Sequence, residues 1–302
     1  MRSTAFGHLP RNFDQIGVSL TFMNRRVAVV TDSTASLPPE LARRLGITVV
    51  QLQLRVGDNA TDEARVPATE LVTALRAREQ VATSPPPSAA FFWTYQNAAA
   101  AGVEAVVSIH LSTELSQTCA TAREAAGHTR VPVHIIDSRA CGMAVGFAAI
   151  AAAEAAMAGA GPREVLDVVN HRINGASSLI YVDTLEYLRR GGRIGAAQAL
   201  IGSALSIKPL LAMKEGRIEP LEKVRGTERA ISRLAAVAAQ RTLGRPVDVA
   251  VEHFASRERA EELIERLRVE IPLGHEFLLA ETSAIIGAHA GPGALGVSIS
   301  PC

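Results

Sequence analysis

The chain has 302 residues, 48% of them apolar, 4% aromatic and 20% charged, with 31 basic against 30 acidic side chains and a formal net charge of +1. A balance this even excludes the basic footprint of a nucleic-acid binder, and so few aromatics exclude stacking platforms for bases. The length suits one large or two medium domains, and the aliphatic composition predicts pockets lined by Ala, Val, Leu and Ile.

Cys119, Cys141 and Cys302 have no CxxC spacing, and the eight histidines form no HxxxH pair, so neither a disulfide framework nor a metal site is expected and a reducing cytoplasm fits. The longest apolar stretch, AVGFAAIAAAEAAM, is interrupted by Glu154 and reads as a core helix, not an integral membrane span. Residues 1–25 lack the apolar segment and small-residue cleavage site of a signal peptide. They read as a disordered extension, or as a start assigned too early, with Met23 the natural beginning.

In chain order, RVAVVT (26–31) predicts a strand, followed by DSTASL and the helix PPELARRLG, whose prolines and Gly46 are the expected punctuation. ITVVQLQLRVG predicts one strand, DNATDEARV a loop, PATELVTALRARE a helix, and ATSPPPS leads into the helix AAFFWTYQNAAAAG. VEAVVSIHL is a short apolar run of the kind buried on both sheet faces. STELSQT follows it, with hydroxyls at Ser112, Thr113, Ser116 and Thr118, just before the helix QTCATAREAAG. One serine suffices for an N-cap; four hydroxyls beside free first-turn amides also suit an anion.

After the strand VPVHIID come SRACGM, the alanine-rich helix and the amphipathic helix PREVLDVVNHRING, ending at Gly175. SSLIYVDTL opens a second unit. It continues with EYLRRGGRI, a helix broken by paired glycines, the helix AAQALIGSAL, and a hairpin about Glu215-Gly216. GTERAISRLAAVAAQRTLG and SRERAEELIERLRVEI predict helices, and RPVDVAVEHFA and HEFLLAET strands. AIIGAHAGPGALGVSIS reads as a glycine-rich turn feeding a final strand. The alternation predicts an α/β fold of two units: an N-terminal domain over 26–175, mainly parallel sheet with flanking helices, and a C-terminal domain over 176–302 with a mixed sheet.

Three strands end in serine-bearing turns at Asp32-Ser33, Ser112–Thr118 and Asp137-Ser138, each before a helix. In a parallel sheet all three lie at the carboxyl edge, where α/β folds bind ligands; the same residues also serve as ordinary N-caps. No GxxxxGK[ST], no GxGxxG after a strand and no GxSxG is present, so a kinase, dehydrogenase or ordinary α/β-hydrolase is not supported. His289, in AHAGPG, and Arg193, in RRGGR, remain as candidate binding residues. Glycines beside the histidine would let backbone approach a ligand, and the arginine could meet a phosphate, a partner or a helix dipole.

VTDSTASL (30–37), TSPPPSAAF (83–91), SIHLSTELSQT (108–118), IDSRACGM (136–143), YLRRGGRI (187–194), SIKPLL (206–211) and HAGPGALG (289–296) occur in the order typical of the DegV family, which the chain resembles from about residue 26 to 300. The family includes the fatty-acid-binding subunits of bacterial fatty acid kinase. The resemblance implies two α/β domains holding one long-chain fatty acid in a tunnel near their interface, with no cofactor and no catalytic residue of its own. Its carboxylate would meet Thr83, Ser84, Ser112 or Thr113, and His289, with Ser116 a further neighbour. Arg193 would face an acyl phosphate or the fatty acid kinase catalytic subunit. Four residues depart from the family pattern: Pro87 and Gly142 stand where serine is usual, Gln117 where glycine is, and Cys119 where tyrosine is. The alternative from another class is an acyl hydrolase or acyltransferase using Ser112 or Ser116 with His289 as base.

Overall fold

The computed structural model describes residues 25–200 and 206–302. The expected N-terminal extension therefore lies, up to residue 24, outside the described residues, as does part of the expected helix AAQALIGSAL. The first domain runs through β1 (Val27–Asp32), α1 (Pro39–Arg44), β2 (Ile47–Val50), β3 (Gln53–Val56), β4 (Asn59–Asp62) and α2 (Ala68–Arg76). It continues with β5 (Val81–Ser84), α3 (Ser88–Ala100), β6 (Ala105–His110), α4 (Thr118–Ala126), β7 (Val133–Asp137), α5 (Met143–Met157) and α6 (Pro162–Gly175). The second comprises β8 (Ser177–Tyr181), α7 (Glu186–Arg190), β9 (Ile207–Lys214), β10 (Arg217–Arg225) and α8 (Thr227–Arg241). β11 (Val247–His253), α9 (Arg257–Glu270), β12 (Gly274–Glu281), α10 (Ala284–Ala290) and β13 (Leu295–Pro301) complete it.

The first domain has a parallel sheet in the order β2-β1-β6-β7, and a small antiparallel sheet, β4-β3-β5, stands beside it. The second is a mixed sheet, β10-β9-β8-β13-β11-β12, in which β11 and β12 are parallel and the other pairs antiparallel. β1 and β6 are buried throughout, which explains their unbroken apolar runs. α5 packs against β1 and β6 on one side and β11 and β13 on the other. A helix with sheets on both sides meets solvent only at its last turn, through Glu154 and Met157, hence its alanine-rich sequence without a polar stripe.

Three local expectations change. ITVVQLQLRVG is two strands in different sheets, because the Leu52 N–H donates to Ser33 Oγ (3.0 Å) and its carbonyl accepts from Glu63 N (3.0 Å), which takes the backbone out of the first ladder. The expected loop DNATDEARV contains β4, hairpin-paired with β3, and ATSPPPS contributes β5. AIIGAHA is a helix, capped by Ser283, whose hydroxyl accepts from Ile286 N. The hairpin at Glu215-Gly216 is present, both residues with positive φ (49° and 80°), the conformation a two-residue I′ turn demands.

The serine turns do share one edge: β1, β6 and β7 are neighbours, and His110 lies opposite Asp137 in the ladder. Beneath that edge runs a buried polar chain. Asp32 Oδ2 accepts from Leu111 N (3.1 Å) and pairs with His110 Nδ1 (2.9 Å); His110 Nε2 meets Ser108 Oγ (2.8 Å), which meets Tyr95 Oη (2.9 Å). All four side chains are fully buried, so this Asp-His-Ser series fixes the edge rather than presenting a nucleophile.

Candidate functional site

Between the domains lies a cavity of ≈ 380 Å³, within the range of about 300–1,000 Å³ usual for small-molecule sites. Leu52 and Leu115 from the first domain and Leu188, Ile218, Ile285 and Leu295 from the second make its apolar walls. α10 runs along it: Thr282, Ile285, Ile286 and His289, spaced by three or four residues, all line it.

At one end, Thr83 Oγ1 lies 2.8 Å from His289 Nε2, joining the last residue but one of β5 to the last turn of α10. His289 Nδ1 is buried and has no partner among the described residues, and a Cβ on Gly191 would collide with it, so glycine at the end of α7 makes room for the ring. Burial first, and then the Arg193 guanidinium, pushes the His289 pKa from 6.5 down to about 4. The unfolded chain therefore takes up a proton near pH 6.5 that the folded protein refuses until about pH 4, and stability falls as pH drops through that window. Melting temperatures of ligand-free protein between those limits should decline less steeply for His289→Gln than for the natural chain; parallel curves would contradict this assignment. His253, pushed down by burial too, is common to both proteins and cancels.

Ser84, Thr113, Ser116 and Arg193 also line the cavity. Ser84 and Thr113 are exposed at its mouth, and the Thr113 hydroxyl donates to Asp137 Oδ2 (2.6 Å). Ser116 Oγ meets Thr118 Oγ1 (2.9 Å) and accepts from Thr118 N (3.3 Å). Ser112 is placed differently. It is fully buried, outside the cavity lining, and donates to the Gly216 carbonyl (2.7 Å), fastening the hairpin turn of the second domain to the first. Arg193 makes a second fastening: Nε donates to Leu115 O (3.1 Å) and Nη1 to Gly191 O (2.7 Å). Loop 112–118 is thus held from the second domain at its first residue and at its middle. The glycines after His289 approach the protein's own side chains, not open cavity: a Cβ on Gly291 would strike the Tyr187 ring and one on Gly293 the Asp183 carboxylate.

The hydrolase constellation is not assembled, since the histidine's partner is Thr83 and its other nitrogen meets no carboxylate. Among the described residues, Asp248, His275 and Cys302 converge at the far end of the mixed sheet, where Asp248 is already paired with Arg172 (2.6 Å).

A family model described as "Uncharacterised protein, DegV family" matches residues 26–302. The chain belongs to the DegV family. It is 50% identical over 279 residues to a DegV domain-containing protein of Streptomyces coelicolor, covering 92% of this chain and 99% of that one. Among solved structures it resembles a DegV family protein from Thermus thermophilus described by its fatty acid binding (TM-score 0.87, 30% identity, 92% of this chain and 100% of that one). It also resembles DegV of Bacillus subtilis, described as a fatty acid binding protein (TM-score 0.83, 32% identity, 92% and 100%).

Within this DegV chain the departures from the family pattern fall in different places. Gln117 lies on the cavity and Pro87 immediately precedes α3, whereas Cys119 is buried with its thiol toward the Leu111 carbonyl (3.8 Å). Gly142 is different, because the Glu252 carboxyl occupies the space its side chain would fill. Glu252, Ser298 and Cys141 are cavity residues that motif reading misses. The available signal was a glutamate inside the apolar strand VDVAVEHF, since a carboxyl buried on a sheet face needs a reason.

Proposed function

We propose that this protein is a non-catalytic carrier that binds a long-chain fatty acid, head group at Thr83 and His289 and hydrocarbon along α10, and presents its carboxylate to a separate ATP-dependent fatty acid kinase. The observation that carries this reading is the Thr83–His289 pair at one end of a cavity whose walls include Leu52, Leu115, Leu188, Ile218, Ile285 and Leu295. The fatty-acid binding stated for the Thermus thermophilus and Bacillus subtilis relatives supports it.

Withdrawing about 14 methylenes from water at ~0.8 kcal/mol each gives on the order of 11 kcal/mol gross, offset in good part by ordering the chain. The carboxylate would lose several kcal/mol if buried unpaired. The Thr83 hydroxyl and a neutral imidazole have one proton each and use one in their mutual bond, which leaves one to donate to the carboxylate, while exposed Ser84 and Thr113 keep the head within reach of a second protein. Ser116 lies farther along the same rim, and Arg193, which lines the cavity, is the residue we assign to an acyl phosphate or the kinase surface. Ser112 acts on the site through the loop it fastens.

Native mass spectrometry of the purified protein, followed by denaturing extraction, tests the reading. A one-to-one adduct whose extract is a long-chain fatty acid is the expected result. A mass that stays ligand-free after incubation with such acids would refute it.

A further inference from the structure

The cavity has a second polar cluster, apart from Thr83 and His289. Glu252, on β11, is buried, lines the cavity and accepts a hydrogen bond from Ser298 Oγ (2.9 Å) on the neighbouring β13. Ser178 of β8 sits opposite Ser298 in the ladder and is buried on the cavity as well, with no hydrogen-bond partner for its hydroxyl among the described residues. Glu252 lies opposite Gly296, so the three polar groups cluster on adjacent strands of one sheet.

The chain is shaped to admit that carboxyl. Gly142 has φ +70° and a Cβ there would collide with Glu252 Oε1, so any side chain at 142 would expel it. Ser36 links this nook to α10: its hydroxyl lies 3.3 Å from Thr282 Oγ1 and accepts from Ser283 N (3.2 Å), while Ser36 and the Met143 N–H both face the Glu252 carboxyl and oppose the effect of its burial. Thr282 and His289 are separated by the length of the seven-residue α10, ~10 Å at 1.5 Å per residue. A ligand whose carboxylate meets Thr83 and His289 therefore passes Glu252 and Ser178 in the middle of its chain.

A plain methylene chain would cover a carboxyl and a hydroxyl here and shut water away from both, at the cost of their desolvation. A hydroxyl on the ligand can both donate and accept, which satisfies the two at once. Burial favours the protonated form of Glu252, which then has an O–H of its own to offer.

We propose that the preferred ligand is a long-chain acid oxygenated in mid-chain, a hydroxy fatty acid whose hydroxyl is held by Glu252 and Ser178. This rests on the fatty-acid reading above and narrows it. Titration of delipidated protein with stearic acid and with a stearic acid carrying a mid-chain hydroxyl tests it. The natural chain should bind the hydroxylated acid about tenfold or more tightly, because a site built around a ligand hydroxyl discriminates strongly against the analogue lacking it. Glu252→Leu should bring the two affinities within about twofold while retaining stearic acid, and Glu252→Gln, which keeps shape and hydrogen bonding, should retain most of the preference. Equal affinity of the natural chain for both acids, or an undiminished preference in Glu252→Leu, would overturn the hydroxy-acid proposal alone. Failure to bind either acid would overturn the carrier reading and this proposal with it.

Discussion

Thr83→Val should lower the affinity for a long-chain fatty acid by roughly 10- to 100-fold while leaving the fold intact. Valine keeps the β-branched shape that suits β5 and removes only the hydroxyl. A hydrogen bond to a charged group contributes about 1.5–3 kcal/mol, and ~1.4 kcal/mol is a factor of ten in affinity. The loss is compounded because Thr83 is the partner of His289 Nε2, and the other ring nitrogen already has none. Ser112→Ala is the informative contrast, since its hydroxyl serves the Gly216 carbonyl and not the cavity. It should affect affinity less than Thr83→Val. Equilibrium titration with a fluorescent fatty acid and displacement by the natural one measures both. An unaltered dissociation constant in Thr83→Val would remove Thr83 from the head-group site.

His110→Ala should be the most damaging single change to stability away from the ligand, at about 3–5 kcal/mol. It takes a partner from Asp32 Oδ2 and from Ser108 Oγ together, inside a core where all three are fully buried. It also leaves a void beside Phe91, whose ring meets the imidazole edge-on at 5.1 Å between centroids. Urea unfolding should show a lower midpoint with an unchanged slope. A shift worth less than about 1 kcal/mol would mean that the polar chain from Asp32 to Tyr95 is not a structural brace.

The sequence is most legible where period and punctuation agree. β1, β6 and β11 announce themselves as apolar runs, α6 as a Pro-started amphipathic helix, and the β9–β10 hairpin by Glu215-Gly216. It is least legible where tertiary partners redirect the backbone. Nothing local in ITVVQLQLRVG marks the exit at Leu52, which depends on Ser33 and Glu63, distant along the chain. α10 is masked by the glycines that follow it, although Ser283 offers the capping side chain. At the site, local sequence pointed to His289 and the DegV resemblance added Thr83, and the two side chains lie 2.8 Å apart. The same reasoning could not separate Ser112 from its neighbours, because only the fold determines that its hydroxyl faces a hairpin while Thr113 and Ser116 line the cavity. Glu252 escaped altogether, being one of two acids in β11, and its counterpart, Gly142, is an absence of side chain more than a hundred residues earlier.

α5 belongs to the cores of both sheets at once. Loss of either sheet would strip half of that helix of its packing and expose a surface with no polar residues to receive water. The two domains should therefore share one melting event, seen as a single calorimetric transition, with α5 as the common element that couples the halves. A ligand bound between them draws on the stability of both.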